Sequence, residues 1–195
     1  APLDRPSLMG LGRTPDSFLV ADPVKDATVL HEVSSANPTW GEPLRKDVSG
    51  ALIHGVGGGV LLGYADLKGD DDVYEFLSPA DAEAWGKIKR AYKGSRVQLV
   101  SWSADRSRIV ARVDPPNDSP NYALVDLKAG RADPIGFLYE DIKPQDVAPV
   151  RPVTFKAADG LDITGYLTLP NGRPDRKLPL IVLPHGGPAA RDEPG

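Results

Sequence analysis

Arg108-Ile109-Val110-Ala111-Arg112-Val113 alternates along its length. Ile109, Ala111 and Val113 fall on one side, and Val110 and Arg112 on the other. That is the period of two of a sheet with one buried face. Reading outward, residues 96–103, 121–127 and 132–137 are three further strand candidates at close spacing. Ala104-Asp105-Arg106-Ser107 and Lys128-Ala129-Gly130 supply turns between them. Together the four candidates predict one antiparallel sheet over residues 96–137, with Trp102 and Ile109 on its buried face.

A different period lies immediately upstream. Ser78-Pro79-Ala80-Asp81 has the pattern of a capping box with Pro at the first helical position. Trp85, Ile88 and Tyr92 then recur at helical spacing and define one apolar face. Lys87, Lys89 and Arg90 lie off that face and read as solvated, and Gly94 is placed to end the helix. The spacing predicts a helix over residues 79–93, packed on a sheet through Trp85, Ile88 and Tyr92. The two aromatics read as packing residues, not as a binding box.

Further toward the amino terminus, residues 17–21, 28–33, 48–56 and 60–65 are β-rich runs separated by Gly, Pro, Asn and Asp. Gly57-Gly58-Gly59 reads as a hairpin turn. A phosphate loop would need a helix and a Lys-Ser/Thr pair after it, and neither follows. Asp70-Asp71-Asp72 lacks the alternating oxygen ligands of a calcium loop and reads as a solvated turn. His31 and His54 fall in strand candidates with no second ligand at metal spacing, so both read as structural.

Downstream of residue 137 the pattern breaks. Asp141, Pro144, Asp146, Pro149 and Pro152 interrupt any regular element, and the stretch reads as a linker. Strand candidates at 153–157 and 161–169 flank a turn at Ala158-Asp159-Gly160. A polar loop follows over residues 170–177. Residues 178–183 are wholly apolar and predict a short strand buried on both faces of a central sheet. They run into His185-Gly186-Gly187-Pro188.

Composition narrows the classes. The chain has 195 residues, with 41% hydrophobic and 26% charged. That is an ordinary balance for a soluble globular protein with a packed core. Twenty Pro and twenty Gly, spread along the chain, suit many short strands and turns. A formal charge of −4 with no basic block argues against a nucleic-acid partner. No apolar run approaches the ~20 residues that span a bilayer, so no membrane partner is expected. There is no Cys, hence no disulfide and no Cys-based zinc site, and neither cofactor nor metal is expected. Residues 1–20 lack a signal-peptide pattern. Cytoplasm and periplasm both remain open. Met9 is the sole Met and nothing closes the chain after Arg-Asp-Glu-Pro, so both ends read as cut.

Two stretches carry a family resemblance. Val100-Ser101-Trp102-Ser103-Ala104-Asp105-Arg106-Ser107-Arg108-Ile109-Val110 is similar to the strand–turn–strand repeat of propeller blades in the prolyl oligopeptidase family, with Ala-Asp-Arg where Pro-Asp-Gly is usual. Arg151-Pro152-Val153-Thr154-Phe155-Lys156, Asp159-Gly160-Leu161 and Gly165-Tyr166-Leu167-Thr168-Leu169-Pro170 then lead to Leu178-Pro179-Leu180-Ile181-Val182-Leu183-Pro184-His185-Gly186-Gly187-Pro188. That order resembles the entry into the hydrolase domain of the acylaminoacyl peptidase and dipeptidyl aminopeptidase branch. The resemblance implies a mainly β chain: the last part of a β-propeller with antiparallel blades and one helix, then the first strands of an α/β-hydrolase domain. The implied units are 1–137, a linker at 138–150, and a truncated peptidase-domain start at 151–195.

The same resemblance implies a serine nucleophile in a Gly-x-Ser-x-Gly elbow, then Asp, then His. The chain contains no such elbow. His185 precedes the missing serine and is not the general base, because the triad His comes last in this fold. What remains is half of an oxyanion hole. The Gly187 N–H is the implied donor, with His185, Gly186 and Pro188 supporting the loop. Arg191 and Asp192 either brace the loop as an ion pair or form a plain solvated pair.

The reading is therefore a piece of a serine peptidase that hydrolyses oligopeptides, inactive by itself and lacking its carboxyl-terminal hydrolase segment. An esterase or lipase with a similar Gly-rich loop is one alternative. The strands at 96–137 disfavour it, since esterases seldom carry a β domain feeding the hydrolase strands. A non-catalytic propeller or β-sandwich binding module is another, and it gives no reason for His-Gly-Gly-Pro.

Overall fold

The computed structural model describes residues 5–25, 27–48, 50–187 and 192. Among them are twelve strands and one α-helix, and every strand pairing is antiparallel. The fold is mainly β.

The alternation of residues 108–113 becomes strand β8 (Arg108–Asp114), in which Ile109, Ala111 and Val113 are buried. Its neighbours are β7 (Arg96–Trp102), β9 (Asn121–Asp126) and β10 (Arg131–Phe137), in the order β10-β9-β8-β7. This is the predicted four-stranded sheet, and Trp102 is buried in it as expected. Arg106 takes the left-handed turn position between β7 and β8, with φ of 56°. Pro134 sits on the outer strand β10, beside a register shift, where a missing N–H does least harm.

The helix α1 runs over Pro79–Ala91 and stops two residues before the expected end. Tyr92 caps it and Gly94 follows with φ of 92°. Trp85 and Ile88 are buried with Val97, Trp102, Ile109, Ala111 and Val125, and Tyr92 packs against this cluster. Burying Trp85 and Ile88, with part of Tyr92, stabilises by several kcal/mol, at ~25 cal/mol per Å² of apolar surface. The capping box is not made. Ser78 is the N-cap but forms no side-chain cap bond. Asp81 is buried and receives Arg106 Nη1 at 2.5 Å. A carboxylate sealed under the sheet is stabilised far more by a cation than by a backbone amide, so the pair replaces the box.

Two three-stranded sheets precede the helix. The first is β1 (Ser7–Leu11), β2 (Ser17–Val24) and β3 (Ala27–Ser34). The second is β4 (Ala51–His54), β5 (Leu61–Lys68) and β6 (Asp71–Phe76). Leu19, Leu30, Leu61 and Tyr64 form the core between them, with the Arg45 guanidinium 4.5 Å above the Tyr64 ring. Strand β4 is shorter than the predicted 48–56, and Gly57 and Gly58 turn the hairpin with positive φ.

The aspartate triplet is a correction. Asp70 lies in the turn, but Asp71 and Asp72 open β6. Asp72 accepts from Arg96 at 3.1 Å and Gln98 at 2.9 Å. Tyr74 and Phe76 follow on the same side and reach the aromatic cluster, with Tyr74 4.7 Å from Trp85 and Phe76 5.4 Å from Trp102. A strand-opening carboxylate is tolerated there because a cation from β7 meets it.

Candidate functional site

Beyond β10, a short 3-10 turn at Pro144–Asp146 leads to a hairpin of β11 (Val150–Lys156) and β12 (Asp162–Thr168). Its turn is closed by Gly160 N–H donating to Ala157 O at 3.0 Å and by Asp159 accepting from Leu161 N–H at 3.1 Å. Gly160 has φ of 87°, which a side chain would oppose. Tyr166 on β12 donates its hydroxyl to Asp70, tying the hairpin to the β5–β6 turn. After β12, the Asn171 amide donates to the carbonyls of Gln145 at 3.1 Å and Val147 at 2.8 Å. These bonds fix where the chain leaves the hairpin and heads for the candidate loop.

The strand predicted at 178–183 is absent. Residues 178–187 have no regular structure, and Leu180 and Leu183 are 80% and 82% exposed. An apolar strand buried on both faces needs a neighbouring strand and covering layers. No described residue supplies either. His185 follows, with Nδ1 2.7 Å from its neighbour Gly186 O. Among the described residues, leaving out chain neighbours, no atom lies within 4 Å of where a Cβ would sit on Gly186 or Gly187. No described residue packs against that side of the loop backbone. Pro188 and Arg191 lie outside the described residues, and so does any pairing of Arg191 with Asp192.

The histidines upstream are bound into the fold. His31 Nδ1 lies 3.2 Å from Gly41 O, and its ring packs 4.9 Å from Trp40. His54 Nε2 lies 3.1 Å from Leu11 O and links the first two sheets. Among the described residues, no three His, Asp or Glu are grouped to hold a metal ion. No described helix is long and apolar enough to cross a membrane.

The shifted acids are also structural. Burial pushes the Glu32 carboxyl up, but hydrogen bonds from Ser17 and Arg13 outweigh it and hold Glu32 below the usual carboxylate range. Asp105 is held well below its ordinary value by the Ser103 and Ser107 hydroxyls, the Ser107 N–H and Lys128. It knots the β7–β8 turn rather than serving chemistry.

Sequence reasoning missed a cleft of about 800 Å³ between the second sheet and β7. The one signal for it was the slip in alternation at Val100, where the β7–β8 register shifts.

Comparison with known proteins adds the functional context. No family model matches the chain. Dipeptidyl aminopeptidase BIII of Pseudoxanthomonas mexicana is 25% identical over 136 residues, which is 66% of this chain. The chain spans only 18% of that relative's length. Among solved structures, a prolyl endopeptidase gives a TM-score of 0.49 at 14% identity, covering 83% of this chain and 24% of its own. A puromycin hydrolase mutant complexed with PGG gives 0.41 at 20% identity, covering 83% of this chain and 25% of its own. Weak homology to the aminopeptidase supports the resemblance to a peptidase fragment of the prolyl oligopeptidase family.

Proposed function

We propose, from that homology, that this chain is part of a serine peptidase that cleaves oligopeptides by acyl transfer. The observation that carries the reading is the relatedness to an aminopeptidase over 136 residues. His185-Gly186-Gly187-Pro188 adds to it, since such a block follows an apolar run at the oxyanion loop of this family.

In the complete protein, residues 178–183 become a strand of the hydrolase sheet once neighbours pair with them. The three sheets and the helix upstream form propeller blades that limit entry to short peptides. A serine oxygen outside this chain attacks the substrate carbonyl, and negative charge develops on the carbonyl oxygen. The Gly187 N–H donates to that oxygen alongside the N–H that follows the nucleophile. Each such donor is worth roughly 3–4 kcal/mol of transition-state stabilisation. Gly187 lacks a Cβ, so its backbone can come close to the substrate. His185 holds the loop through its contact with Gly186, and Pro188 sets the direction of exit.

The chain itself supplies neither nucleophile nor base, so it is inactive alone. A serine-reactive fluorophosphonate and aminoacyl-arylamide substrates test this. The complete protein is labelled at one serine and turns over the arylamide, whereas the 195-residue chain does neither. Stoichiometric labelling of a serine within this chain contradicts the reading.

A further inference from the structure

The 800 Å³ cleft is built from a sheet face and a sheet edge. Its floor is one face of the β4–β5–β6 sheet. Ala51 pairs with Ala65, Ala65 with Tyr74, and Leu67 with Asp72, and residues paired directly across a sheet share a face. Its wall is β7 from Gln98 to Trp102. Strand β7 ends its sheet, so among the described residues the side facing away from β8 has no paired strand. The Tyr74 hydroxyl closes that side at Leu99, accepting from the Leu99 N–H at 3.0 Å. Past Leu99 the register shifts, and Val100 is 51% exposed. A shift of this kind bends the strand and re-aims its edge.

The ionised groups around the cleft are already matched. Asp72 is held by Arg96 and Gln98. Arg112 donates to Gln98 at 3.3 Å and lies 3.6 Å from Asp114. A ligand chosen by its charge has little to find. What lacks a partner is N–H: Trp102 Nε1 and Arg112 Nε are buried without an acceptor, and both residues line this cleft. Both atoms are sealed from solvent, so what a ligand meets here is the main chain of β7 and not these side-chain donors.

We propose that this cleft binds an extended peptide, which adds as a further strand on the outer edge of β7 at Trp102, whose N–H and C=O face away from β8 in this register. The main chain of a peptide presents N–H and C=O groups at the spacing of a strand, ~3.3 Å per residue, which matches a free edge whatever the side chains. The cleft's volume falls in the range of ordinary ligand sites, roughly 300–1,000 Å³. This deepens the peptidase reading, on which it rests for the peptide being substrate; the binding itself needs no triad. Main-chain recognition beside neutralised charges selects for extended shape and tolerates varied sequence.

The test uses the 195-residue chain and an acetylated, amidated hexapeptide of alternating threonine and alanine. The control is the same peptide methylated on each central main-chain nitrogen. The unmodified peptide slows exchange of the outward-facing Trp102 amide at least tenfold, and methylation weakens binding tenfold or more. Ala51→Trp, at an exposed position on the floor, fills the cleft and weakens binding by a similar factor. If Ala51→Trp does not fold, the peptide pair decides alone. The proposal is overturned by no protection at millimolar peptide, by equal affinity for the two peptides, or by wild-type binding in a folded Ala51→Trp chain. Peptide binding here, with no fluorophosphonate labelling of the complete protein, keeps the cleft and removes the peptidase reading. Labelling without peptide binding does the reverse.

Discussion

Residues 96–137 and residues 178–187 both contain strong apolar runs, yet one stretch is a packed sheet and the other lies open. The first finds everything it needs nearby. Its four strands pair in sequence order, and α1 covers the buried face with Trp85 and Ile88. The second needs strands on either side and layers on both faces, and the described residues offer none. Strand state is set by partners more than by composition. The contrast also separates two kinds of contribution. The sheet with its helix supplies stability, and the open segment carries the candidate chemistry.

That division can be broken experimentally, and the largest effect is expected at the helix. Trp85→Ala removes a buried ring that meets Tyr74 and Phe76. It should cost ~3–5 kcal/mol. An unchanged denaturant midpoint would show that the helix is not part of the core. Asp81→Ala comes next. It strips Arg106 of its partner while leaving Arg106 at positive φ. Because Arg106 is partly exposed, the loss should be smaller, ~1–3 kcal/mol. Arg106→Gly sharpens the point: it relieves the backbone but leaves Asp81 buried without its cation. A net gain in stability for Arg106→Gly would mean that the ion pair contributes little.

A smaller, pH-dependent effect is expected at the β7–β8 turn. Asp105 has a folded-state pKa depressed below its ordinary 3.8 by the Ser103 and Ser107 hydrogen bonds. Its contribution is therefore fully present above about 3.8 and is lost as pH falls through the lower folded value. Asp105→Asn should be less stable than the parent at neutral pH, and the gap should narrow as the pH is lowered below 3.8. Parallel pH–stability curves would remove Asp105 from the account. The smallest effect belongs to the open segment. Ile181→Ser should shift the stability of this chain by less than ~0.5 kcal/mol, since Ile181 is 81% exposed. A large loss would mean that residues 178–183 are packed after all.

Legibility followed the same line. Strand β8 was readable because Ile109, Ala111 and Val113 alternate with polar or half-exposed neighbours. The helix was readable because Trp85, Ile88 and Tyr92 share a face. Strand β6 was hidden, since Asp71, Asp72 and Glu75 mask the alternation of Tyr74 and Phe76. Arg96 and Gln98, across the gap on β7, explain why Asp72 can sit there. The cap of α1 was misread for a similar reason, because the partner of Asp81 is Arg106, 25 positions away. At the candidate site the motif was visible but its geometry was not. Among the described residues, and leaving out chain neighbours, nothing lies within 4 Å of where a Cβ would project from Gly186 or Gly187, so no described packing sets the shape of this loop.

The central proposal is that Gly187 supplies an oxyanion donor in the complete protein. The most direct test is Gly187→Ala in the complete protein, with Gly186→Ala as control. Because the hydrogen bond strengthens mainly in the transition state, kcat should fall ~100-fold or more with little change in KM. Gly186→Ala should do much less. A folded Gly187→Ala enzyme with normal kcat/KM would place the donor elsewhere and contradict the account.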